Sequence, residues 1–105
     1  MNGEATYKIP FTQFLRPRGT PAPREFITHR ADVFDKAGLI TADGFTFEIE
    51  ELMTGEVSAT ISDEHGDYAH IICHNKPDHV EGRINDMIMN FDIARGLKQR
   101  EALRD

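Results

Sequence analysis

Four of the five histidines and the only cysteine of this 105-residue chain fall within its residues 65–79. His65, His70, Cys73, His74 and His79 stand there with Asp67 and Asp78 close by. Imidazole and thiolate are good ligands for zinc and related ions. Spacing argues against a shared ion for most of them. On a strand, His70 and His74 share a face but stand about 13 Å apart, and Cys73 points to the other face. His74 and His79 can converge across a turn that Asp78 also joins, which makes His74, Asp78 and His79 the candidate metal set. No recognised ligand spacing is present, so the expectation is an exposed scatter of histidines with no bound metal and no cofactor.

A second constellation is the polar side of the three apparent strands in residues 45–74. It holds Glu48, Glu50, Ser58, Thr60, His70, Ile72 and His74. Opposed carboxylates and imidazoles on a rigid sheet can do general acid–base chemistry. A solvated antiparallel face has the same composition, and solvation is the first expectation. Ile72 amid polar neighbours, and serine and threonine on the middle strand, point instead to cover by another subunit. A third constellation is basic: Arg16, Arg18, Arg24 and Arg30, with Phe14, Phe26 and His29 nearby. Arginines beside aromatic rings can hold phosphate or single-stranded nucleic acid. Arginines paired with an acidic body are the simpler expectation. The segment also offers a proline-rich docking peptide, without a strict PxxP core beyond Pro17–Pro23.

Catalytic templates fail in turn. The chain has no GxSxG, no glycine-rich phosphate loop, no HExxH and no cysteine–histidine pair in a defined context. No nucleophile, base and orienting group can be assembled from the spacing.

Apolar periodicity shows which elements must carry these residues. Phe45, Phe47 and Ile49, then Val57, Ala59 and Ile61, then Ala69, Ile71 and Cys73 alternate with polar positions, the signature of a strand with two unlike faces. The intervening breaks each contain glycine and are short enough for hairpins. An antiparallel three-stranded meander is predicted. Upstream, Tyr7, Ile9 and Phe11 share a strand face, and Pro10 makes that strand an expected edge. Residues 16–25, with three prolines and Gly19, read as a loop. A helix is predicted from a Thr28 N-cap to about residue 42, buried through Val33, Ala37 and Ile40, with Gly44 in the left-handed conformation after it. A second helix is predicted after the meander, with Asp78 as N-cap, Glu81 as its capping-box partner and the stripe Val80, Ile84, Met87, Ile88 and Phe91. Residues 93–105 read as a charged helical extension or a frayed tail. The order β-α-β-β-β-α defines an α+β two-layer sandwich in one domain, 1–105.

Composition narrows the function classes. The net charge is −6. Residues 1–30 hold five Lys or Arg against two acids, and the remainder holds seven against sixteen. An acidic body repels phosphate backbones, so nucleic-acid association is expected only through the basic segment. No apolar run reaches 18 residues, so no membrane span is expected. The single cysteine fits a reducing compartment. The first ten residues lack a signal-peptide apolar region. Together these features give a cytoplasmic expectation. The leading expectation is a non-enzymatic accessory protein that forms a homodimer and can hold a protein partner. Nucleic-acid association through the proline–arginine segment is the alternative, and a metal-dependent or acid–base enzyme stands third.

Overall fold

The computed structural model describes residues 5–14 and 19–96. Five strands form one mixed sheet: β1 (Tyr7–Phe14), β2 (Pro21–Thr28), β3 (Thr46–Glu51), β4 (Val57–Asp63) and β5 (Gly66–Cys73), in the spatial order β2-β1-β3-β4-β5. Helix α1 (Ala31–Ala42) connects β2 to β3, and α2 (Pro77–Met89) follows β5. A further helical stretch, α3, covers residues 91–96. The three helices pack against the sheet, giving the α+β layering expected. β3, β4 and β5 form the antiparallel meander, with Phe47 across from Ile61, and Ala59 flanked by Ile49 and Ile71.

Two expectations about the N-terminal part are corrected. Residues 21–28, the end of the presumed loop and the three residues after it, form β2, which pairs antiparallel with the whole of β1 from Tyr7↔Thr28 to Phe14↔Pro21. β1 is therefore interior, and β2 is the edge. The prolines explain how both strands tolerate them. Pro10, Pro21 and Pro23 all belong to register pairs of one parity (Pro10↔Glu25, Thr12↔Pro23, Phe14↔Pro21). Antiparallel pairs alternate between exchanging both backbone hydrogen bonds and exchanging none. A proline has no N–H, so these are the pairs that exchange none, and the β1–β2 ladder runs through the pairs between them. The missing donors of Pro21 and Pro23 face outward along the edge. That of Pro10 faces β3, and the parallel β1–β3 ladder covers only Thr12–Phe14 against Glu48–Glu50.

Alternation sorts the side chains. Ile9, Phe11, Phe26, Phe47, Ile49, Ala59, Ile61 and Cys73 are buried on the helix side. Val33, Ala37 and Ile40 of α1 and Val80, Ile84, Met87 and Ile88 of α2 close over them. Aromatic rings join the layers. Phe11 stacks on Phe47 at 5.1 Å, and Phe45 meets Tyr68 and Phe91 edge-on at 4.9 Å each. Gly44 has φ 96°, the left-handed stop expected after α1.

The helix starts differ from expectation. The N-cap of α1 is Arg30, and that of α2 is Lys76, with Pro77 in the first turn; neither has a side-chain cap. Pro77 suits this position because its fixed φ is already helical and its absent N–H would be unsatisfied there anyway. Asp78 lies one residue further in, within the first turn. Thr28 and Glu81 serve a different purpose, described below.

Candidate functional site

At the end of the molecule where β2 runs into α1 and α2 begins, polar side chains of β2, its junction with α1, and α2 are joined by hydrogen bonds. Thr28, the last residue of β2, is fully buried, and Asn85 of α2 is nearly so. Thr28 Oγ1 donates to Asn85 Oδ1 (2.9 Å) and accepts the Arg30 N–H (3.3 Å). One helical turn earlier, Glu81 receives the His29 backbone N–H at Oε2 (2.8 Å), and its two oxygens lie 3.0 and 3.1 Å from His29 Nδ1. Burial pushes the Glu81 carboxyl upward. The His29 backbone N–H, the His29 ring and Asn85 outweigh it, and the net shift is downward. A groove of about 350 Å³ lies alongside, bordered by Arg24, Ile27, Asn75 and Asp78. This clamp ties the β2–α1 junction to α2. Sequence reading missed it because its partners lie 52 and 57 residues apart.

The metal candidates meet in part. His74, just past β5, and His79, in the first turn of α2, bring their rings to 5.7 Å between centroids. Both are exposed, as is Asp78. Among the described residues, no group of three or more His, Cys, Asp or Glu is arranged to hold a metal. His65 sits in the β4–β5 turn, 3.5 Å from Glu64. Cys73 is a buried thiol on the helix side, and burial raises its pKa.

The face of the sheet away from the helices is built in rows. One row runs Phe14, Glu50, Ser58, Ile72, and the next runs Thr12, Glu48, Thr60, His70. Glu48 and His70 are thus two strands apart, roughly 10 Å between backbones, with Thr60 between them. The registers therefore do not place Glu48 directly beside His70. Glu48 instead accepts from Ser62 Oγ at 3.4 Å. Ser58 and Ser62 are buried between taller neighbours, so this face is not the uniformly solvated surface of the first expectation. Ile72 is 44 % exposed.

The structure describes two members of the basic set. Arg16 and Arg18 lie outside the described residues. Arg24 is exposed on β2. Arg30 forms a two-pronged ion pair with Asp32, at 3.0 Å from Nε and 2.6 Å from Nη2. That contact raises the Arg30 pKa and lowers that of Asp32. No helix among the described residues is long and apolar enough to cross a membrane. Comparison with models of known protein families, with curated proteins and with solved structures finds no match for this chain.

Proposed function

We propose that this protein is a small non-enzymatic interaction module that self-associates through its sheet. Ile72 carries the reading. It is a large aliphatic side chain on the last strand of the sheet, turned to the side away from the helices. Its row neighbours are the aromatic ring of Phe14, the small Ser58 and one acid, Glu50. At 44 % exposure on the open face, it is a side chain that a second surface packed against the sheet would cover. Nucleic-acid association is the weaker reading, because Arg30 is already held by Asp32 and only Arg24 of the described set remains available.

Light scattering coupled to gel filtration, from about 1 to 100 µM, tests the proposal. The expected result is a mass that rises toward twice the chain mass with concentration, and a return toward the monomer mass for Ile72→Asp. A wild-type protein that stays monomeric at 100 µM sinks it.

A further inference from the structure

The two edges of the sheet differ in kind. On β2, Pro21 and Pro23 remove outward donors, a common way in which natural sheets refuse a neighbouring strand. β5 has no proline. Its one irregularity is a register shift at the turn end, beside Ile61 and Ser62, and from Ala69 to Cys73 the pairing with β4 is regular. The outer side of that stretch therefore presents a short row of backbone donors and acceptors. Beside it runs a groove of about 430 Å³, walled by Tyr68, His70 and Ile71 on the strand, by Arg83 and Asp86 on α2 and by Asn90 just after it. An exposed edge next to a helix is the architecture that accepts an added strand.

We infer that the β5 edge joins the β5 edge of a second copy, antiparallel, so that two sheets become one continuous ten-stranded sheet. This deepens the self-association reading and rests on it. The occupant is argued from charge. Arg83 and Asp86 are exposed, stand one helical turn apart on the groove side of α2, and form no ion pair among the described residues. A two-fold axis beside β5 sets α2 antiparallel to its symmetry mate. Arg83 of each copy then faces Asp86 of the other, two identical ion pairs from one self-complementary patch. The strands agree with this axis. A two-fold at Ile71 sets Ile72 across from His70 of the second copy on the open face, twice, and so covers the exposed isoleucine.

Two measurements decide it. Hydrogen exchange, followed residue by residue from dilute to concentrated protein, is expected to slow alternate amides between Tyr68 and Cys73 as the dimer forms. Charge reversal at either site alone, Arg83→Asp or Asp86→Arg, is expected to weaken the dimer at least tenfold at low salt. The double reversal is expected to bring it back to within about threefold. A dimer whose β5 amides exchange as fast as in the monomer, with all three variants at wild-type affinity, overturns the edge contact and leaves self-association standing. A wild-type protein that never dimerises overturns both.

Discussion

Thr28 and Asn85 show how much one pair of polar side chains can hold. Each is buried, and each satisfies the other, and no buried side-chain nitrogen or oxygen among the described residues lacks a partner. Removing one member leaves the other desolvated and alone, which costs more than a hydrogen bond contributes. Asn85→Ala is expected to lower stability by roughly 2–3 kcal/mol in urea unfolding. Thr28→Val combined with Asn85→Leu is expected to cost less than the sum of the two single changes, because the pair leaves together. Glu81 adds a pH signature. Its carboxyl sits below its ordinary 4.5 in the folded protein. The folded state therefore gains stability above that pH and loses it as the pH falls through the lower folded value. Glu81→Gln is expected to be less stable than wild type at pH 6, by about 1–2 kcal/mol for the lost charge-assisted bonds, and the gap is expected to shrink as the pH falls below 4.5 and through the lower folded value. A difference that stays constant with falling pH would assign the effect to packing instead. None of this clamp was legible along the chain. Thr28 and Glu81 both have residue types and positions suited to helix capping, and only the tertiary fold shows that they are taken by partners more than fifty residues away.

At the scale of elements, the legible parts were those whose burial follows a simple period. The meander showed itself because its strands bury one face and its breaks contain glycine. Both main helices showed themselves by their stripes, all of which are buried. β2 was hidden for a physical reason. Proline is read as a strand breaker, yet it breaks a strand only where its N–H would have faced a partner, and that depends on a register fixed by a different segment. Pro10 misled in the same way, since its missing donor marks where one ladder stops and not where the sheet ends. The helices also retain slack. Gly38 of α1 and Gly82 of α2 are exposed, and a Cβ added at either meets nothing within 4 Å. Gly38→Ala and Gly82→Ala are each expected to raise stability by about 0.5–1 kcal/mol, through higher helix propensity and a less flexible unfolded chain. Ile84→Ala acts in the opposite direction. That side chain is fully buried between sheet and helix, and its loss is expected to cost roughly 2–5 kcal/mol.

For the whole molecule, the question is what unit folds. Among the described residues the helices cover one side of the sheet, and the core lies there, with Ile9, Ile61, Ile84 and Phe91 among its most buried members. The ion pairs Lys36–Asp92 and Arg95–Asp43, which tie α1 to α3, are exposed and add little. A second copy at β5 would bury further surface, and folding would then be linked to association. The linkage has a size. Unfolding entropy is about 2.1 cal/mol/K per residue near 60 °C, so two chains of this length carry about 0.44 kcal/mol/K. A hundredfold change in concentration shifts the dimer by about 2.7 kcal/mol. The Tm is therefore expected to rise by about 6 °C between 2 and 200 µM when dissociation and unfolding occur together, and less when a folded monomer intervenes. Differential scanning calorimetry across that range measures it. Ile72→Asp supplies the contrast: the substitution is on the surface of the single copy, so its Tm should lie at or below that of wild type at 2 µM and should no longer climb with concentration. A wild-type Tm that is flat over the same range would make the single chain the folding unit, with the helix-side core sufficient for its stability.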